Sequence, residues 1–103
     1  MNSIRIQSNE AHPDGSRLIL AGRITVESAI EFHKCALELS NGDRDVSVSC
    51  EAAEYLDVSA IQILLGLGRA LAAKQKRFEI VGVSEGLGAW LTLAGLSGAS
   101  SAR

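Results

Sequence analysis

Glu54-Tyr-Leu-Asp-Val-Ser-Ala-Ile-Gln-Ile-Leu-Leu-Gly-Leu-Gly-Arg-Ala-Leu-Ala-Ala-Lys74 reads as a loop that turns sharply into a helix. Asp57 is suited to the N-cap, because its carboxylate accepts from amide N–H groups that a first helical turn leaves unpaired. After it, Ala60, Ile61, Leu64, Leu65, Gly68, Leu71 and Ala72 recur at helical spacing and form one apolar arc. That arc is wide enough to lie on a sheet. The opposite arc holds Ser59, Gln62, Ile63, Gly66, Arg69, Ala70, Ala73 and Lys74. Its first two turns offer Ser59, Ile63, Gly66 and Ala70, with Gln62 at the edge, and no charge. A solvated helix face is usually richer in charge, so this platform is read as a docking face for another protein. The competing reading is that a lone exposed isoleucine is ordinary on any surface.

Outward from this helix the chain alternates. Ser3–Gln7 is a short strand with Ile4 and Ile6 on one face, and Arg17–Ala21 is a second, the two forming a hairpin around Pro13-Asp14-Gly15. Gly22 bends the chain away, and Thr25 caps a helix over Val26–Leu39. That helix buries Ala29, Phe32, Ala36 and Leu39, flanked by Ile30 and Leu37, and ends at Ser40-Asn41-Gly42 with a left-handed Asn or Gly. Asp45–Ser49 is a third strand, Phe78–Val81 a fourth, and Glu85–Ala94 a third helix closed by Gly95. The order β-β-α-β-α-β-α predicts an α/β fold, a small mixed four-stranded sheet with helices mainly on one face. Residues 1–96 read as one domain and 97–103 as a disordered tail.

Composition narrows the function. A chain of 103 residues, 47 % hydrophobic and 21 % charged, buries a core without a metal or staples. A net charge of −2 and four aromatic residues give neither the basic footprint nor the stacking platforms of a nucleic-acid binder. The first ten residues lack an apolar signal core, and Gln62 and Arg69 interrupt the longest apolar run. A cytoplasmic protein without direct membrane insertion follows by elimination. Cys35 and Cys50 lack C-x-x-C spacing and read as reduced, largely buried small hydrophobes, with a disulfide between them the lesser alternative.

Catalytic motifs fail on context. Gly82-Val-Ser-Glu-Gly86 matches G-x-S-x-G between a strand and a helix, but both histidines, His12 and His33, precede the serine. A strand-to-helix turn capped by Ser84 accounts for it. Glu51, Glu54 and Asp57 gather acids but offer too few oxygen ligands for a hard cation, so no metal and no cofactor is expected. No catalytic residue emerges.

The order of elements is joined by Leu18-Ile-Leu-Ala-Gly-Arg-Ile-Thr25, Tyr55-Leu-Asp-Val-Ser-Ala-Ile-Gln-Ile-Leu-Leu65, Phe78-Glu-Ile-Val-Gly-Val-Ser-Glu85 and Leu91-Thr-Leu-Ala-Gly-Leu96. Together, over about residues 4–96, these resemble the STAS domain of anti-sigma factor antagonists and of the cytosolic ends of sulfate transporters. The resemblance implies protein–protein regulation rather than catalysis. It also implies a serine at the start of the central helix that a partner anti-sigma factor kinase phosphorylates to release itself. Two departures stand out. Val58 occupies the usual phosphoacceptor position, leaving Ser59 one residue late. The chain also stops after the third helix, where many relatives add a strand and helix, and an open edge or helix face invites a homodimer. The expectation is a non-catalytic module resembling an anti-sigma factor antagonist. It would bind its partner through Glu54, Asp57, Val58, Ser59, Gln62, Ile63, Gly66 and Ala70, with Ser59 as the candidate phosphorylation site. The alternative is a non-phosphorylated STAS subunit of a larger signalling or lipid-transport complex, which Val58 favours.

Overall fold

Residues 3–8 and 15–93 are described in the computed structural model of the protein. Alternation builds the sheet. β1 (Ser3–Ser8) carries Ile4 and Ile6, and β2 (Gly15–Ile24) carries Leu18, Leu20 and Ile24, all at even spacing on one face. The two pair antiparallel, with Ile4 opposite Leu20 and Ile6 opposite Leu18. β3 (Asp45–Leu56) runs parallel to β2, and β4 (Phe78–Val81) runs parallel to β3, giving the order β1-β2-β3-β4. Parallel neighbours need crossovers, and α1 (Ala29–Ser40) and α2 (Val58–Ala73) supply them. α3 (Glu85–Leu93) follows β4. The mixed four-stranded α/β architecture is the one the alternation predicts.

Val46 and Val48 of β3 and Ile80 of the edge strand β4 join Phe32 of α1, Leu64 of α2 and Leu91 of α3 in one apolar cluster, so all three helices share the core. Ser47 and Ser49 have the opposite parity, yet each is nearly buried. They lie on a central strand, flanked in register by Arg17 and Ile19 on β2 and by Glu79 and Val81 on β4. Gly68 brings α2 close to the sheet, since a Cβ there would stand 3.0 Å from the Phe78 ring. Both cysteines are free. Burial pushes the Cys50 thiol up to about 11. Cys35 is half-buried, and its thiol is raised by burial and by the charges of Glu31 and Glu38.

Several local expectations are corrected. β3 does not stop at Ser49 but continues through Leu56, because β2 also extends past Ala21 and pairs with it: Ala21 meets Ala52, Gly22 meets Ala53, and Arg23 meets Tyr55. Gly22, at φ 80°, marks an irregularity within β2 rather than its end. Glu54 is therefore a strand residue, not part of a loop. Val26–Ser28 forms a single 3-10 turn before α1. After α1, Asn41 keeps a right-handed backbone, and the left-handed residue is Asp43, at φ 54°. On α2 the buried set is Ala60, Ile61, Leu64, Leu67 and Leu71. Leu67 thus replaces Leu65, Gly68 and Ala72, of which the first two are half-buried and the last exposed. The Pro13-Asp14 part of the hairpin turn, Ala94, Gly95 and the tail at 97–103 lie outside the described residues.

A candidate docking site between two helices

Asp57 organises the site. It stands at the end of β3, where its own N–H donates to the Ile24 carbonyl at 3.1 Å, so the ends of β2 and β3 fix its backbone. Its Oδ1 accepts from the Ala60 N–H at 3.1 Å and from the Ser59 hydroxyl at 2.6 Å, and its Oδ2 accepts from the Val26 N–H at 2.9 Å. One carboxylate therefore caps α2 and also holds the turn that leads into α1. The expected cap Thr25 makes only a long bond, 3.4 Å from the Glu27 N–H. α3 is tied to the same corner, since Trp90 Nε1 donates to the Leu56 carbonyl at 2.6 Å.

Partial burial alone would raise the Asp57 pKa. The hydrogen bonds from the Ser59 hydroxyl and from the amides of Ala60, Val26 and Ser59 outweigh it, and the group sits below its ordinary 3.8. A depressed carboxyl pKa adds stability above the unfolded value, and that stability is lost as pH falls through the folded value. Asp57→Ala is therefore expected to cost about 1–3 kcal/mol at neutral pH, as two helix starts lose a cap. In urea titrations the gap between parent and variant should close as pH drops below 3.8. A gap constant down to pH about 2 would remove the charge from this account.

From Asp57 the two helices run side by side and leave a groove of about 750 Å³ between them. Ser59, Gln62, Ile63 and Gly66 of α2 line one wall, and Ile30, His33, Lys34 and Leu37 of α1 line the other. Four of the eight residues expected from sequence thus lie together. Ala70 is half-buried and lies outside the groove lining, as do Glu54, Asp57 and the 57 % exposed Val58. Ile63 is half-buried against the core edge rather than fully outward. The α1 wall was missed by the sequence reading. Its signal was the spacing, since Ile30 and Leu37 stand seven apart beside the buried stripe, and in the structure they are 76 % and 50 % exposed, with Val26 in the preceding 3-10 turn 69 % exposed. An apolar row at that spacing marks a second apolar stripe on one helix.

A four-stranded mixed sheet, two crossover helices and an aspartate capping the second of them make up a small α/β domain. The model of the family described as "Mlab, STAS domain" matches residues 8–100, and the chain belongs to that family. Solved structures agree in fold. The anti-sigma factor antagonist SpoIIAA in its unphosphorylated form superposes with a TM-score of 0.70 at 14 % identity, over 82 % of this chain and 76 % of that one. A Thermotoga maritima protein assigned as an anti-sigma factor antagonist gives 0.75 at 15 %, over 96 % and 82 %. A serine-to-glutamate variant of Moorella thermoacetica RsbS gives 0.68 at 20 %, over 94 % and 83 %. At these identities the likeness is one of fold. No curated sequence matches the chain. Among the described residues, no helix is long and apolar enough to cross a membrane.

Proposed function

We propose that this protein is a non-catalytic regulatory module of the cytosol that works by docking a protein partner along the α1–α2 groove. The observation that carries the reading is the apolar lining, in which exposed Ile30 and Leu37 face half-buried Ile63 across a cleft open to solvent. Exposed side chains of this size gathered in one place suit a protein surface better than water. Likeness in fold to anti-sigma factor antagonists supports a protein as the ligand.

The module acts as a standing subunit rather than a phosphoswitch. Val58 stands where the resemblance expects the phosphoacceptor. Ser59 is half-buried, and its hydroxyl donates to Asp57. A phosphate on Ser59 would press up to about two negative charges against a carboxylate already engaged in capping. The rival reading is a phosphoswitch at Ser59, supported by likeness in fold to SpoIIAA, whose structure is of its unphosphorylated form.

Ile63→Asp and Ile30→Asp are each expected to weaken capture of the native partner from source-cell lysate by about 100-fold, roughly 2.7 kcal/mol. Ile63 also touches the core, so Ile30→Asp is the cleaner variant, and its unfolding free energy should stay within about 0.5 kcal/mol of the parent. Capture undiminished by both substitutions would sink the groove reading. Intact mass after incubation with ATP and the captured partner separates standing subunit from switch, because an added phosphate on Ser59 establishes the latter.

A further inference from the structure

Resting on the docking reading, we propose that the groove takes an amphipathic helix of the partner, bearing an acidic residue beside its apolar ridge. Shape argues for a rod. The cleft runs between two helices and is open on one side, whereas a small-molecule site typically encloses about 70–90 % of its ligand. Spacing argues for a helix. Ile30 and Leu37 stand two turns apart on α1, about 10.5 Å along its axis, the separation at which a second helix repeats its own apolar ridge. Gly66 leaves the opposite wall open, with no atom beyond its adjoining residues and its own helical backbone within 4 Å of where its Cβ would be. A side chain from outside has room to enter there.

Charge selects the partner's flank. The chain as a whole is negative, at −2, yet among the described residues the groove lining includes Lys34 and His33 and no carboxylate. The acids of α1 lie elsewhere. At about 100° per residue, Glu31 and Glu38 fall roughly 80–100° around the helix from Ile30, on the shoulder away from α2. Neither Glu31, Glu38 nor Glu27 lines the cleft. A partner helix with Glu or Asp next to its ridge meets a cation at the rim, and one with Lys or Arg there meets a like charge. A second copy of this chain is a weaker fit, because Lys34 flanks its own Ile30–Leu37 row more closely than Glu31 or Glu38 and would meet the Lys34 that lines the groove.

The test is a displayed library of helices about 18 residues long, with leucine fixed at i, i+4, i+7 and i+11 and flanking positions varied among Glu, Lys, Gln and Ala. Selected against the full chain, Glu should outnumber Lys beside the ridge by about tenfold or more. A selected peptide should bind Lys34→Glu protein about tenfold more weakly, and its Glu→Lys counterpart should regain affinity for that variant. Peptides that lose binding on Ile30→Asp but show no acid preference would overturn this inference while leaving the groove a docking site. Peptides indifferent to Ile30→Asp, or no enriched peptide at all, would overturn both. So would self-association in sedimentation that Ile30→Asp abolishes, since the occupant would then be a second copy.

Discussion

Phe32→Ala is expected to destabilise the protein by about 3–5 kcal/mol. Phe32 is fully excluded from solvent and is the largest of the wholly buried side chains. It projects from α1 into the cluster shared by the sheet and α2. Removing a buried ring forfeits its transfer energy and leaves a cavity that α1 can close only by moving toward the sheet. A domain of this size holds about 5–15 kcal/mol in total, so the loss is a large share of it. The melting temperature should fall by about 15–30 °C, read by circular dichroism. Phe32→Leu keeps most of the volume and should cost about 1–2 kcal/mol. A loss below about 1 kcal/mol for the alanine variant would mean that other contacts hold α1 down. Against Ile30→Asp two residues away, expected to leave stability untouched, Phe32→Ala separates what α1 does for the fold from what it shows outside.

That separation also marks how far the chain can be read without coordinates. Local chemistry is legible: Asp57 followed by an apolar period caps a helix in the sequence and in the structure, and Ser84 likewise accepts from the Leu87 N–H at 3.2 Å. Strands with alternating or β-favouring side chains are legible too, as in β1 and β4 respectively. Cys50–Tyr55 is not, because Glu51, Ala52, Ala53 and Glu54 carry neither the residue types nor the alternation of a strand. They are extended because β2 offers a partner, and Arg23 packs over the Tyr55 ring 4.7 Å from its centroid. Tertiary pairing overrides weak local preference there. α2 is obscure for the opposite reason. With leucine at 64, 65, 67 and 71, several arcs of the wheel are apolar, and only the packing selects Leu67 over Leu65. Half of the candidate site stayed hidden because a groove belongs to two elements. Reading α2 alone finds Ser59, Gln62, Ile63 and Gly66, while Ile30 and Leu37 acquire meaning only once α1 lies beside them.

Gly82→Ala is the second substitution with a large expected cost, about 2–4 kcal/mol. Gly82 follows β4 with φ at 73°, in the left-handed region, where an L side chain costs roughly 1–2 kcal/mol. The space is also taken. An added Cβ would stand 3.0 Å from the Glu51 nitrogen and 3.1 Å from its Cα, and would overlap the Glu51 Cγ. Glutamate can swing its side chain away, but its backbone is held in β3, so β4 or β3 has to shift. Glu51 lies on the strand that delivers Asp57, and a shift there reaches the cap. Amide resonances of Val26 and Ala60, which donate to Asp57, are therefore expected to move although both lie outside the mutated turn. Gly66→Ala supplies the opposite sign. It lies within α2, nothing beyond its adjoining residues and its own helical backbone stands within 4 Å of its Cβ position, and alanine there should add about 0.5–1 kcal/mol by helix propensity. Two glycine-to-alanine changes in one small domain thus move unfolding midpoints in opposite directions. Equal effects from both would show that chain flexibility alone, rather than left-handed geometry and the nearness of Glu51, is what β4 requires of residue 82.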